Sequence, residues 1–158
     1  MQIRKAKIAD LKRVSYITKI AWKKPYNEHG VVYGFSESLD LAEQIRKRNI
    51  FILVATLDNK IIGAIRYEFL NKNQIYFSKL VTLPSYRGVG VGQALINKLE
   101  SIAQKEKVKK ISLDVMEEKL LVPYYKKIGY KVLRKVKFLN HHEVYMFKNL
   151  THNNQHGA

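Results

Sequence analysis

The sequence predicts one mixed α/β domain of the α+β kind over residues 1–150: a mostly antiparallel, twisted sheet of about seven strands with a central parallel pair, flanked by about four helices. Three observations carry this expectation. A chain of 158 residues, 46% hydrophobic and 27% charged, can bury one core. Its apolar residues alternate over strand-length runs in some stretches and recur at helical spacing in others. Finally, one strand–turn–helix–strand unit must carry parallel flanking strands, because a helical crossover joins them, whereas the other strands follow one another through short turns.

The elements follow in order. Ile3, Lys5 and Lys7 alternate with Arg4 and Ala6 as a short strand, after which Leu11, Val14, Ile17 and Ala21 mark one face of a helix. The stretch after Lys24 and Pro25, with Gly30 and Gly34, reads as a loop; a second helix opens near Ser36, with Glu37 and Asp40 early and Arg46, Lys47 and Arg48 late, as the helix dipole favours. Ile50 to Leu57, Ile61 to Phe69 and Gln74 to Leu83 read as three consecutive antiparallel strands, the first two joined by a turn at Asp58, Asn59 and Lys60. A glycine-rich turn at Arg87 to Gly92 feeds a helix with Val91, Leu95, Leu99 and Ile102 on one face, and Ile111, Leu113 and Val115 alternate as the next strand. Pro123 to Lys127 forms a short helix stopped by Gly129, and Tyr130 to Phe138 with Val144 to Phe147 forms a last hairpin around Asn140, His141 and His142. Residues 151–158 are expected to be a disordered tail.

Composition narrows the chemistry. The absence of cysteine removes disulfides, thiolate metal sites and cysteine nucleophiles. His141 and His142 lack carboxylate or cysteine spacing around them and read as solvated turn residues, so no metal is expected. No apolar run approaches the roughly 18 residues of a membrane span, and the N-terminus leads into an amphipathic segment, so no membrane contact and a cytoplasmic location are the expectation. A net charge of +16 attracts polyanions, and basic clusters at Lys105 to Lys110 and Arg134 to Lys137 raise a nucleic-acid or ribosome-binding reading. Those clusters lack stacking aromatics in a recognisable module, which disfavours it. The apolar final hairpin offers a surface for a homodimer.

In Arg87-Gly88-Val89-Gly90-Val91-Gly92, three glycines alternate between a strand end and a helix start. Glycine permits positive φ and lets an anion approach backbone N–H groups, while the free amides of the helix N-terminus point at the same anion. A pyrophosphate would fit there, with Arg87 adding positive charge. No Lys-Ser or Lys-Thr pair follows, so this is not a P-loop, and the glycine spacing does not match the dinucleotide fingerprint. The segment from Leu80 to Gly92 closely resembles the acetyl-CoA signature of the GNAT superfamily, with Arg87, Gly90 and Gly92 in its three defining places, and the order of elements is similar along nearly the whole chain. The resemblance implies acetyl-CoA as co-substrate, wedged where the strands ending near Leu83 and Val115 splay apart. Leu80, Val81, Thr82 and Leu83 would pair with pantetheine like an added strand, and Arg87, Gly88, Val89, Gly90, Val91 and Gly92 would hold the diphosphate.

Val122-Pro123-Tyr124-Tyr125-Lys126-Lys127-Ile128-Gly129 resembles the family's second motif, in which a Tyr four residues before a helix-ending Gly lies near the thioester sulfur. Tyr125 holds that place and is the implied catalytic residue, whereas Tyr124 reads as packing. Glu118 and Leu121 depart from an Asn and an Ala common in the family. The resemblance thus implies N-acetyl transfer to a primary amine, a polyamine-like molecule, a lysine side chain or a peptide N-terminus. An acetyl-CoA sensor without transferase activity is the alternative. Such transfer needs aligned reactants, an uncharged nitrogen, a home for the oxyanion and a way to neutralise sulfur. Backbone amides near Leu80 to Thr82 could hold the oxyanion. Because a thiol titrates near ~8.5 and a phenol near ~10, full proton transfer from an ordinary Tyr is uphill by roughly 2 kcal/mol. Tyr125 therefore acts as a hydrogen-bond donor or with a lowered pKa.

Glu28, His29, Glu68 and Asp114 are candidates for the base, and Tyr33 for an apolar acceptor contact. From Tyr26 to Gln44 there is no Lys or Arg, yet Glu28, Glu37, Asp40 and Glu43 fall there. By resemblance this segment borders the acceptor cleft, where an acidic rim would favour a cationic amine.

Overall fold

The structure, a computed structural model, describes residues 1–29, 45, 47 and 49–151. Strand β1 (Gln2–Lys5) leads into helix α1 (Leu11–His29), and β2 (Phe51–Leu57), β3 (Lys60–Asn71) and β4 (Gln74–Thr82) follow as a meander. Helix α2 (Val91–Lys105) crosses to β5 (Lys110–Met116), and α3 (Val122–Lys127) precedes the hairpin of β6 (Lys131–Lys137) and β7 (His142–Asn149).

These strands form one sheet in the order β1-β2-β3-β4-β5-β7-β6. Every neighbouring pair is antiparallel except β4 and β5, as the helical crossover requires. Alternation then sorts side chains to two faces. Ile52 and Val54 of β2 join Val14 and Ile17 of α1 on one side, and Leu53 and Ala55 join Leu95, Ile96 and Leu99 of α2 on the other. Covered on both faces, β2 and β3 are buried along runs that are apolar except for Thr56 and Arg66, and so read in the sequence as largely apolar blocks rather than strict alternation. No helix among the described residues is long and apolar enough to cross a membrane.

Three expectations change. Helix α1 runs through Pro25 to His29 where a loop was predicted. Proline removes one N–H but leaves φ helical, and no further breaker follows until Gly30. His142 opens β7, and His141 is buried rather than solvated, its ring stacked on Phe138 at 5.0 Å with 7° between planes. The turn folds its histidines back onto the sheet, burying the imidazole against an aromatic face. The helix expected from Ser36, and the tail beyond Thr151, lie outside the described residues.

The start of α2 lies hard against β3 at Gly63, where an added Cβ would fall 2.8 Å from Val91 Cγ1 and 3.0 Å from the Val81 carbonyl oxygen. Gly63→Ala is therefore expected to destabilise the fold by about 1–3 kcal/mol, read as a lower urea midpoint at unchanged m-value.

Candidate functional site

Strands β4 and β5 pair from Gln74–Lys110 to Phe77–Leu113 and no further, although β4 continues to Thr82 and β5 to Met116. The departure coincides with a bulge: Arg66 opposes Ser78 and Ala64 opposes Val81, so Lys79 and Leu80 together face the single residue Ile65. Lys79 takes a left-handed φ of 48° to accommodate the extra residue. A bulge bends and overtwists its strand, and here it swings β4 away from β5.

On one side of this opening lies a cavity of about 810 Å³ lined by Leu80, Val81, Thr82, Tyr86, Arg87, Gly88, Gly90, Val91, Gly92 and Gln93, with the turn after β5 and the start of α3 opposite. Gly88 and Gly90 have φ of 78° and 87°, and a Cβ built on either meets nothing within 4 Å. The turn thus needs glycine for its backbone and leaves open space in front of its amides. Gly90 caps α2 with no side-chain hydrogen bond, and the first turn holds no acidic residue. The N-terminal amides of this 15-residue helix are accordingly presented to an anion without a competing carboxylate. These features fit a diphosphate group. Leu83 and Val89 do not line the cavity; the Leu83 amide donates to the Ile62 carbonyl instead, at 2.9 Å.

Helix α3 brings Tyr125 to the seam. Its ring is buried among Phe77, Tyr124 and Tyr130, with centroid separations of 6.2, 5.3 and 6.0 Å. The helix is anchored from several directions. The Tyr124 hydroxyl donates to Gln93 Oε1 at 3.2 Å, and Lys148 Nζ donates to both Glu100 oxygens at 2.9 and 3.0 Å and to the Ile128 carbonyl at 3.0 Å. Burial, then the neighbouring Tyr124 and Asp114, pushes the Tyr125 phenol well above its ordinary value. Of the two roles left open by the sequence, hydrogen-bond donation is the one this environment favours.

On the far side of the seam is a second cavity, of about 480 Å³. It shares Leu80, Met116, Lys119, Leu121 and Tyr125 with the first. A polar row crosses its sheet face: Glu68 on β3, Tyr76 on β4, Asp114 on β5, then Glu143 and Tyr145 on β7. The Tyr76 hydroxyl donates to Asp114 Oδ1 in a short hydrogen bond, and burial followed by the Asp114 charge raises the Tyr76 phenol strongly. Arg66, Lys79 and Lys119 line the same cavity, and burial lowers Lys79 and Lys119 to about 8.

Glu68 and Asp114 therefore face one cavity together. Glu28 and His29 close α1, with side chains outside the described set, and Tyr33 lies wholly outside it. Glu118, the departure from the resembling motif, has a structural duty: its carboxylate accepts from the His142 amide at 3.0 and 3.2 Å and lies 2.9 Å from His142 Nδ1. Glu143 escapes the sequence reading because β7 opens at His142, two residues before the expected start at Val144. The alternation of Glu143 and Tyr145 against buried Val144 and Met146 was the available signal.

Burial opposes ionisation of Glu118, but the His142 hydrogen bonds prevail and hold its carboxyl below the ordinary range. A depressed value contributes stability above the unfolded pKa and loses it as pH falls through the folded one. Glu118→Ala should speed amide exchange at His142 by tenfold or more, from a lost bond of about 1.5–3 kcal/mol, and its stability deficit should fade only at pH below the ordinary glutamate range.

Three comparisons complete the site's description. The sequence model of an acetyltransferase (GNAT) domain matches residues 23–146. An uncharacterised N-acetyltransferase of Chlorobaculum tepidum is 25% identical over 136 residues, 86% of this chain and 79% of that protein. Among solved structures, the PaiA N-acetyltransferase of Thermoplasma acidophilum, in complex with coenzyme A, superposes with a TM-score of 0.76 at 24% identity over 94% of this chain and 98% of that one. A ribosomal-protein-alanine N-acetyltransferase from Brucella melitensis gives 0.76 at 18% identity over 95% and 100%.

Proposed function

Because the chain belongs to the GNAT acetyltransferase family and is an acyltransferase, we propose that it moves an acetyl group from acetyl-CoA to a primary amine by direct attack. The observation that carries this reading is the meeting of two cavities at Tyr125, one with a glycine-lined anion cradle and one lined by carboxylates. Similarity to an N-acetyltransferase whose structure holds coenzyme A supports the same co-substrate.

In this reading Gly88, Gly90 and the first turn of α2 hold the diphosphate through backbone amides, with Arg87 as counter-charge. The freed edge of β4, Leu80 to Thr82, pairs with pantetheine. Amides at the bulge receive the oxyanion. Tyr125 hydrogen-bonds the departing sulfur without having to ionise. The amine enters the smaller cavity as a cation and meets Glu68, Asp114 and Glu143 across a lining that also holds Arg66, Lys79 and Lys119. A polyamine-like molecule, a lysine side chain or a peptide N-terminus meets that description.

Calorimetry with coenzyme A tests the cradle, and release of free thiol across an amine panel, with the product mass, tests transfer. Tyr125→Phe should lower kcat by ~10²-fold while leaving acetyl-CoA affinity within a factor of about two; unchanged turnover would remove Tyr125 from the mechanism. Gly90→Val, by contrast, forces a β-branched residue into positive φ at the cradle and should weaken coenzyme A binding itself.

A further inference from the structure

The base that frees the amine was not legible in the sequence, and the smaller cavity supplies a specific arrangement for it. Strand β7 pairs with β5 so that Glu143 opposes Met116 and Tyr145 opposes Asp114. Asp114 and Glu143 are thus diagonal neighbours on one face, within reach of each other's side chains. Both line the cavity that meets the proposed acetyl-CoA cavity at Tyr125. Tyr76 donates to Asp114 Oδ1 from behind, and Glu143 Oε1 lies 3.2 Å from Nε2 of the buried His141 without hydrogen-bond geometry. The Glu143 side chain is 12% exposed, and no donor among the described residues reaches its Oε2.

We propose that Asp114 on β5 and Glu143 on β7, diagonal neighbours lining the smaller cavity, form one proton-accepting pair for the acceptor amine. The proposal rests on the acetyl-transfer reading and adds to it the origin of the base.

The groups facing Glu143 come from several elements. Asp114 on β5, Tyr76 on β4, Tyr145 on its own strand, and Lys119 and Glu118 on the turn after β5 surround it, with His141 at the edge. Glu68 and Arg66 on β3 and Lys79 on β4 line the cavity further out, and β6 opposes Glu143 with the apolar Val136. Burial first, and the Asp114 charge second, raise the Glu143 carboxyl to about 7, against a smaller opposite effect of Lys119. Glu143 therefore keeps its proton until near neutrality. A base poised there suits proton transfer at neutral pH.

The step balances as follows. The cationic amine gives one proton to the ionised pair, and its freed lone pair forms the bond to the thioester carbonyl carbon. The carbon–sulfur bond breaks, the second nitrogen proton passes to the departing sulfur, and sulfur ends as the thiol beside Tyr125. The proton held by the pair is then released to water. Because the pair accepts only when ionised, kcat should rise with pH through about 7.

The test compares kcat–pH profiles of the full chain and of Glu143→Gln, Glu143→Asp and Tyr125→Phe, using acetyl-CoA and the best amine of the panel. An infrared carboxyl titration of the unliganded wild type accompanies them. Without Glu143 the carboxyl that burial and the Asp114 charge raise is absent, and Asp114 alone remains to accept the proton. In Glu143→Gln the acid limb should move down by about one pH unit or more and kcat should fall at least ~10-fold, with acetyl-CoA affinity retained. Glu143→Asp should keep the limb near neutral, and Tyr125→Phe should lower kcat without moving it. The infrared titration should show a protonated carboxyl persisting to near pH 7 in the wild type, whether or not the variants fold. A limb that stays in place in Glu143→Gln, or no carboxyl titrating above the ordinary range, overturns the pair. Absence of thiol release from the wild type with every amine instead overturns the acetyl-transfer reading, and the base role with it.

Discussion

The architecture turns on a ladder that stops early. Parallel pairing between β4 and β5 ends at Phe77 and Leu113, and each strand then continues with one edge committed elsewhere: β4 to β3, β5 to β7. Backbone groups on the parted edges must find other partners, because buried N–H and C=O groups are costly to leave unmade. An extended ligand is one such partner. The bulge at Lys79 and Leu80 produces the parting, and it costs a non-glycine residue at positive φ, the sort of local strain that marks working sites. Both cavities lie along this opening, and Tyr125 stands between them.

A side chain at a seam is useful only if it stays there. Tyr125 sits on a helix of six residues, too short to hold itself by its own hydrogen bonds. Its position comes from outside: aromatic contacts to Phe77, Tyr124 and Tyr130, and the Lys148 ammonium that bridges the Glu100 carboxylate of α2 to the Ile128 carbonyl. The Tyr130 hydroxyl adds a bond to Glu100 Oε1 at 3.2 Å. Glu118 does similar work on the other flank by holding the amide of His142, which fixes the start of β7 and so the strand that carries Glu143.

Electrostatics in the smaller cavity is more balanced than the chain as a whole. The chain carries +16, yet this cavity sets Glu68, Asp114 and Glu143 beside Arg66, Lys79 and Lys119. Burial penalises charge of either sign, so the carboxyl of Glu143 rises toward neutrality while Lys79 and Lys119 fall toward it. Groups whose protonation can change near physiological pH are thereby concentrated around one opening.

The sequence alone determined the strands, the described helices other than the end of α1, and the glycine-rich turn, because these are local matters: alternation, helical spacing, and glycines at positions that require positive φ. Resemblance to a known motif, with a Tyr four residues before Gly129, singled out Tyr125. It misjudged α1 after Pro25, where a proline is a weaker stop than its reputation, and His141, whose burial depends on how a turn folds back. Only the tertiary structure decided that β4 and β5 part, that Glu118 is spent on His142, and that Asp114 and Glu143 share a face. Those facts follow from strand order and register between segments far apart in sequence, and periodicity within one segment carries no information about its neighbour in a sheet.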